Sequence, residues 1–196
     1  MALNTLVEQL QARFGALLSP PLEFRGEISL RLLDAERTAE ICAYAKSELK
    51  FDYLVDISSV DHWGEDPRFE LVYEMYGYGH REHLRLKTSV TEGKNEVPTV
   101  TSVWRTANWH EREIYDMMGI RFRGHPDLRR ILMWEGYPYF PLRKDFPLAG
   151  KPSALPEVAF SERAPLEGGP FVTVAGGATA RGREPRVREA AESRGK

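Results

Sequence analysis

The sequence predicts an α+β fold: a two-layer domain with a mainly antiparallel sheet and helices on one face, followed by an extended C-terminal arm. Three segments repeat apolar residues at helical spacing, and four others alternate apolar with polar residues. Both periodicities stop after Gly119, where proline and glycine become frequent. We therefore expect an α+β domain (residues 1–119), an extended partner-binding arm (residues 120–150) and a flexible Pro/Gly-rich, basic tail (residues 151–196).

Three helices are predicted, because apolar residues recur three and four positions apart. The first spans residues 3–15 and stops before Ser19-Pro20-Pro21. The second spans about residues 35–50, with Asp34 as its N-cap and Cys42 on its buried face. The third lies near residues 106–118.

Four strands are predicted where apolar and polar residues alternate. One contains residues 28–32, and the other three follow one another at residues 51–57, 69–75 and 84–90. The connections between these three are short and contain turn residues, which indicates an antiparallel meander. Residues 92–98 are predicted to form a loop.

The composition excludes several kinds of site. Cys42 is the only cysteine among 196 residues, so this chain forms no internal disulfide and binds no iron–sulfur cluster through four of its own thiolates. A dinucleotide fingerprint, a phosphate-binding loop and a nucleophile elbow are absent from the sequence. The N-terminal residues lack a signal-peptide pattern, and no apolar run is long enough to span a bilayer. We therefore expect a protein of the cytosol or an equivalent compartment.

One charged residue interrupts the apolar stripe of the third predicted helix. Glu111 projects into the apolar arc around Ile114 and Met118, whereas Arg112 and Asp116 fall on the opposite side, spaced for an ion pair. A buried carboxylate needs a cationic or hydrogen-bonding partner. Glu111 is then either an ion-pair partner that fixes the arm to the domain or a shifted carboxylate in a proton path. The candidate cations are the arginines that follow: Arg121, Arg123, Arg129 and Arg130.

The segment after Gly119 combines apolar anchors with basic residues. Residues 119–145 carry 6 lysines or arginines against 3 acidic residues, as do residues 181–196, although the whole chain has a net charge of −2. This distribution suggests docking onto an acidic or anionic surface, or for the last residues a solvated tail. In the arm, Leu142 and Phe146 suit pockets of a partner, with Arg143 or Lys144 at acceptor groups.

Two motifs in this region resemble a known family. Residues 111–120 read EREIYDMMGI, and residues 124–132 read GHPDLRRIL. Both are similar to the signature of the C-type subunit of NADH:quinone oxidoreductase, respiratory complex I, and residues 141–148, PLRKDFPL, are similar to the motif that follows in that family. The resemblance covers about residues 50–150. Met118 departs from the pattern, because many members have an aromatic residue there.

The resemblance implies an accessory, non-catalytic subunit in the peripheral arm of a proton-translocating complex. The chain would carry no cofactor or metal, since FMN and the iron–sulfur clusters that pass electrons from NADH to quinone belong to partner subunits. The implied partners are the D-type subunit, which is similar to a hydrogenase large subunit, and neighbouring iron–sulfur subunits. The implied location is the cytoplasmic side of the bacterial inner or plasma membrane, or the matrix side in mitochondria, with membrane association through the complex only. Residues expected to fix the fold and contact the partner are Glu111, Arg112, Glu113, Asp116, His125, Asp127, Arg129, Arg143, Lys144 and Asp145.

Three alternative functions are open. The same module could serve a related membrane-bound hydrogenase or a ferredoxin- or F420-dependent dehydrogenase. A metal-dependent enzyme would use His80, His83, His110 and His125, although a metal site needs three or four donors in one place. A nucleic-acid binder would use the basic tail, which a sequence pI near 6.2 disfavours.

Overall fold

The computed structural model describes residues 3–147, which form an α+β fold of the predicted class. The predicted tail, and residues 148–150 of the predicted arm, lie outside this range. No helix within residues 3–147 is long and apolar enough to cross a membrane. The helices are α1 (Leu3–Phe14), α2 (Thr38–Ser47) and α3 (Ala107–Met118), and the strands are β1 (Leu22–Phe24), β2 (Glu27–Leu32), β3 (Tyr53–Asp61), β4 (Phe69–Gly77), β5 (Glu82–Val90), β6 (Glu96–Pro98) and β7 (Arg121–Arg123).

The main sheet has five strands in the order β1-β2-β5-β4-β3. Strands β3, β4 and β5 form the antiparallel meander that the sequence predicts. Strand β2 pairs in parallel with β5. Because β2 and β3 run in the same direction at different places in the sheet, the chain between them must return across it, and α2 provides that crossover. The β1–β2 hairpin, which the sequence did not predict, turns at Arg25 and Gly26, both with positive φ.

The sheet has one buried face and one polar face, which is why its strands alternate. Leu71, Tyr73 and Met75 of β4 are fully buried in the same core as Leu10 of α1 and Ile41 of α2. On the other face, ion pairs connect neighbouring strands: Nε of Arg85 lies 2.7 Å from Oε2 of Glu74, and Nζ of Lys87 lies 3.2 Å from Oε1 of Glu70. The periodicity of the sequence therefore reports the two environments of one sheet.

The region predicted as a loop, residues 92–98, contains the short strand β6. It pairs in parallel with β7, and the facing residues Val97 and Phe122 are both buried. Three residues are too few to produce a readable alternation. This second sheet connects the residues before α3 to those after it.

The predicted domain boundary at residue 119 differs from the structure. One compact unit comprises Met1–Lys144, and a second begins at Asp145. Residues 120–144 thus belong with the α+β domain. They lack periodicity because side chains of the domain satisfy much of their backbone, as described below.

Replacing Gly77 by alanine is expected to lower the free energy of unfolding by about 1–3 kcal/mol through overpacking. A Cβ at Gly77 would lie 2.2 Å from Cε1 of His80 and 2.7 Å from the carbonyl oxygen of Lys50. The His80 ring is itself held edge-on to Phe51, with ring centres 4.9 Å apart. Chemical denaturation measures the loss. Gly79→Ala is the control, since its Cβ would meet nothing within 4 Å, and an equal loss in both variants would contradict the overlap argument.

Candidate functional site

Helix α3 is covered on two sides, which its single apolar stripe does not reveal. Ile114 and Met118 face the core as predicted. Arg112 and Asp116, predicted to lie on the open side, are only 8% and 0% exposed. Residues 129–144, which we call the return segment, fold back along this side of α3 and cover them. The helix is therefore enclosed between the core and the return segment.

Asp116 binds one end of the return segment through its carboxylate. Oδ2 accepts the backbone N–H groups of Ile131, Leu132 and Met133 at 3.0, 2.7 and 2.8 Å, and Oδ1 accepts Nη1 of Arg130 at 2.5 Å. Burial raises the pKa of Asp116, but the hydrogen bonds from Met133, Arg130 and the neighbouring amides outweigh it and hold the pKa below its usual value. The ionised carboxylate is thus the form that the segment binds.

Arg112 binds the same end of the segment from one turn earlier on α3. Its guanidinium donates to the carbonyl oxygens of Arg129 and Arg130, each at 3.2 Å, and lies 5.1 Å from the ring centre of Trp109. The spacing of Arg112 and Asp116 allows an ion pair between them, although this order along the helix is the weaker one. Instead each binds backbone of the return segment, because that segment brings unsatisfied amides and carbonyls within reach of both.

A second buried carboxylate holds the other end of the segment. Asp61 accepts Nε and Nη2 of Arg68, both at 2.8 Å, and its Oδ2 also accepts the backbone N–H of Lys144 at 2.8 Å. The side chains of Asp61 and Arg68 are 0% and 4% exposed. The hydrogen bonds from Arg68 lower the pKa of Asp61. This pair was not identified from the sequence. The alternation in β3 places Asp61 on the same face as Ile57, so it indicates a charged residue on the core face.

Gly119 allows the return segment to approach the end of α3. Its φ is +75°, and a Cβ there would lie 2.6 Å from the Phe140 ring and 2.8 Å from Nη2 of Arg143. Arg143 donates from Nε to the carbonyl of Met118 at 2.6 Å, and its guanidinium lies 4.6 Å from the ring centre of Phe140 and 5.2 Å from that of Phe69. Arg143 thereby satisfies a carbonyl at the end of α3 that the helix cannot satisfy itself.

The first interpretation of Glu111, an ion pair with one of the arginines that follow it, is wrong. Its carboxylate, 0% exposed, accepts the backbone N–H of Val100 at 2.7 Å and contacts Oγ1 of Thr99 at 2.5 Å. Both partners are uncharged. The candidate arginines are engaged elsewhere or exposed: Arg130 with Asp116, Arg123 with Glu36 and Glu96, Arg129 with Asp127, and Arg121 at the surface.

The basic charge of residues 119–145 is used largely inside the domain. Arg130 pairs with Asp116, Arg123 with Glu36, and Arg143 lies 4.0 Å from Glu92. The excess of arginine in this stretch therefore has an internal structural explanation, in addition to any role in docking.

The remaining predicted residues lie at the margin of this site. Glu113 is exposed on α3. Nε2 of His125 lies 3.3 Å from the carbonyl of Asn108, and burial lowers the pKa of His125. Asp127 and Arg129 form an exposed pair at 3.0 Å. Lys144 donates its backbone N–H to the carboxylate of Asp61, and Asp145 begins the second unit.

The structure does not bring the four histidines of the alternative metal site together. His80 contacts the carbonyl of Leu49, His83 and His110 each lie near a carboxylate on the outer side of the sheet, and His125 packs beside α3. Residues 3–147 contain no group of three or more His, Cys, Asp or Glu that could hold a metal ion.

The family model and the sequence relatives indicate the same family. The family model of the respiratory-chain NADH dehydrogenase 30 kDa subunit matches residues 32–152, which is more than half of the chain and includes the return segment. The C-type NADH-quinone oxidoreductase subunit of Geotalea uraniireducens is 45% identical over 147 residues, covering 75% of this chain and 89% of the relative. A second such C-type subunit, from Rhizobium meliloti, is 57% identical over 117 residues, covering 59% of this chain and 64% of the relative.

A solved structure extends this likeness to the fold. A trypsin-resistant fragment of Nqo5 superposes with a TM-score of 0.57 at 34% identity, covering 65% of this chain and all of the fragment. The residues that the family model matches include the meander, α3 and the two carboxylates that bind the return segment, Asp61 and Asp116. The chain therefore belongs to the family of the 30 kDa subunit of respiratory-chain NADH dehydrogenase, the C-type subunit of NADH-quinone oxidoreductase.

Proposed function

We propose that this chain is an accessory structural subunit of a proton-translocating NADH:quinone oxidoreductase and carries no active site. The family match, with 45% identity across 89% of a C-type relative, is the observation that carries this proposal. Electrons would pass from NADH through FMN and iron–sulfur clusters on partner subunits to quinone. This chain would support that transfer by holding those subunits in place.

We place the chain in the peripheral part of the complex. It would lie on the cytoplasmic side of a bacterial membrane, or on the matrix side in a mitochondrion, and would reach the membrane only through its partners. Its partners would be the D-type subunit and neighbouring iron–sulfur subunits.

The contact with the D-type subunit is proposed to involve a docking surface formed by Trp109, Leu132 and Leu142. These side chains are 60%, 62% and 58% exposed, so together they would offer apolar contact area to a partner. They follow α3 from its first turn to its last, since Leu132 is bound at Asp116 and the N–H of Leu142 donates to the carbonyl of Met117 at 3.1 Å.

The two buried carboxylates make this surface rigid before a partner arrives. Leu132 and Leu142 lie in a segment that is hydrogen-bonded to Asp116 at one end and to Asp61 at the other. Their backbone is therefore fixed while their side chains stay exposed. A fixed backbone loses little conformational entropy on binding, and apolar anchors then contribute most of the affinity. Glu113, His125, Asp127 and Arg129 are proposed to form the polar rim of this surface.

Replacing both Leu132 and Leu142 by glutamate is expected to remove the D-type partner from the complex. The affinity-tagged variant, expressed in place of the natural chain, would be purified from membranes, and the co-purifying D-type partner measured by mass spectrometry alongside NADH:quinone oxidoreductase activity. Both are expected to fall at least tenfold, because two exposed anchors would become charges in a desolvated interface. The thermal midpoint of the purified chain should barely change, since both side chains are exposed.

Leu22→Glu is the matched control, because Leu22 is 66% exposed on β1, at the opposite edge of the sheet from β3. It is expected to retain the D-type partner and the activity. If the double variant retains that partner, or if Leu22→Glu loses it equally, the docking surface is wrong. If deleting the gene for this chain leaves NADH:quinone oxidoreductase activity intact, the proposed function is wrong.

A further inference from the structure

The interior of the domain contains ionisable groups that packing alone does not require. Glu111 of α3, Cys42 of α2 and Tyr73 of β4 are all 0% exposed. Burial, then the Cys42 thiol and the Glu111 carboxylate, raise the pKa of Tyr73, so the three groups lie close enough to interact. Within residues 3–147 the Tyr73 hydroxyl has no hydrogen-bond partner. Buried polar groups without partners are costly and uncommon, so such a cluster calls for an explanation.

Two threonine hydroxyls connect this cluster to the surface. Oε2 of Glu111 lies 2.5 Å from Oγ1 of Thr99, which lies 2.9 Å from Oγ1 of Thr101. Both threonines are partly exposed, whereas Glu111 is fully buried. Both steps lie within hydrogen-bonding distance, so the three oxygens form a continuous path from the core to partly exposed residues.

The hydrogen-bond inventory of Thr99 allows this path to run in either direction. Its oxygen accepts the backbone N–H of Thr101 at 3.1 Å, which leaves one lone pair and one hydrogen for Glu111 and the Thr101 hydroxyl. With Glu111 ionised, Thr101 donates to Thr99 and Thr99 donates to the carboxylate. With Glu111 protonated, the carboxyl donates to Thr99 and Thr99 donates to Thr101. Both states therefore keep every hydrogen bond of the path.

We infer that Glu111 is a reversible proton-binding site inside the domain, connected to solvent by the hydroxyl groups of Thr99 and Thr101. On release, the carboxyl O–H bond breaks and its proton passes to Thr99 as Thr99 passes its own to Thr101 and Thr101 passes one to water. The carboxylate remains, and one hydronium ion forms. This site is independent of the proposed function and requires no partner.

The surroundings of Glu111 favour its protonated form. Burial raises the pKa of Glu111 to about 7 from an ordinary 4.5, although the hydrogen bonds from Thr99 and Val100 act in the opposite direction. The ionisable groups facing it are Cys42 from α2 and Tyr73 from β4, neither of which is a cation. The charged neighbours on α3 point elsewhere: His110 pairs with Asp56, and Arg112 and Asp116 bind the return segment.

The folded chain binds this proton more tightly than the unfolded chain does. The folded state therefore becomes less stable when the proton is lost. The contribution is fully present below pH 4.5 and disappears as the pH rises through about 7. Because Asp116 and Arg112 sit on the same helix, ionisation of Glu111 is expected to loosen α3 and the return segment together. The thermal midpoint of the chain should therefore fall across that range, and should not do so in Glu111→Gln.

A carbon-13 NMR titration of the glutamate side-chain carboxyls in the purified full chain tests the site directly. One carboxyl carbon is expected to titrate near 7 rather than near 4.5, and its signal is expected to be absent from Glu111→Gln. Glu8→Gln, at an exposed position on α1, is the control and should leave the signal near 7 in place. If all glutamates titrate near their ordinary value, or if the shifted signal survives in Glu111→Gln, the proton-binding site is wrong.

The path is tested by the two threonines separately. Thr99→Val should move the titration of Glu111 upward, because it removes a hydrogen bond that lowers the pKa. Thr101→Val does not touch Glu111, so it should leave the midpoint in place but slow proton exchange enough to split one averaged signal into two. Thr101→Ser should restore the averaged signal. Fast exchange that persists in Thr101→Val would overturn the path and leave the site standing alone.

Discussion

Replacing Asp116 by alanine is expected to lower the free energy of unfolding by about 3–5 kcal/mol, which is the range for breaking a buried ion pair from one side. Arg130, only 12% exposed in its side chain, would lose its carboxylate. The backbone N–H groups of Ile131, Leu132 and Met133 would lose their acceptor at the same time. One side chain here satisfies four donors at once, so the loss should lie at the large end of the range for single substitutions.

Urea denaturation of the purified chain measures this loss, and limited trypsin digestion locates it. Cleavage after Arg129 or Arg130 should accelerate in Asp116→Ala, because the segment is released from α3. Asp127→Ala is the control: its carboxylate pairs with Arg129 at 3.0 Å but is 56% exposed, so its removal should cost less than about 1 kcal/mol.

The Asp116 effect should also depend on pH in a defined direction. Hydrogen bonds hold the pKa of Asp116 below 3.8, so its contribution is present above that value and is lost as the pH falls through the lower folded-state pKa. The stability difference between the natural chain and Asp116→Ala should therefore narrow in acid. A difference that stays constant down to strongly acidic pH would show that the carboxylate charge is not what binds the segment.

Gly119→Ala is expected to cost about 2–5 kcal/mol. About 1–2 kcal/mol comes from placing a Cβ at a φ of +75°. About 1–3 kcal/mol more comes from overlap with the Phe140 ring and Arg143, which would have to move off the end of α3. Their movement would also remove the hydrogen bond from Arg143 to the carbonyl of Met118.

Gly136→Ala separates these two contributions. Gly136 also has a positive φ, +87°, but a Cβ there would meet nothing within 4 Å. It should therefore show only the backbone strain. If the two alanine variants lose equal stability in urea denaturation, the close packing of Phe140 and Arg143 over Gly119 does not stabilise the domain.

The sequence predicts the parts of this fold whose environment repeats along the chain. The meander, the three helices and the inward direction of Glu111 all follow from periodicity, because one face of each element meets the core. The short strands β1, β6 and β7 escape it, since three residues carry no period. The burial of Asp116 escapes it for another reason: its environment comes from residues 131–133, fifteen or more positions away, and no local pattern records that contact.

The candidate site divides in the same way. The motif from Glu111 to Leu132 identifies the family correctly, and it contains both Asp116 and amides that it binds. The hydrogen-bond partners of its charged side chains could not be predicted from residue types. Arg112 and Asp116 have the spacing of an ion pair, and Glu111 has arginines nearby in sequence, yet backbone groups bind all three. Opposite charges at a suitable spacing suggest an ion pair. A buried irregular segment, however, contains more backbone amides and carbonyls that need hydrogen-bond partners than it contains charged side chains.

Asp116 recognises its segment by main-chain N–H groups, which nineteen of the twenty amino acids possess in the same form. The side chains at positions 131–133 are therefore nearly free to vary, proline excepted, without loosening the attachment. A substitution at Leu132 would therefore change the proposed docking surface while keeping the hydrogen bond to Asp116. The main-chain N–H groups of residues 131–133 would thus hold the segment, whereas the proposed partner contact would use the side chain of Leu132.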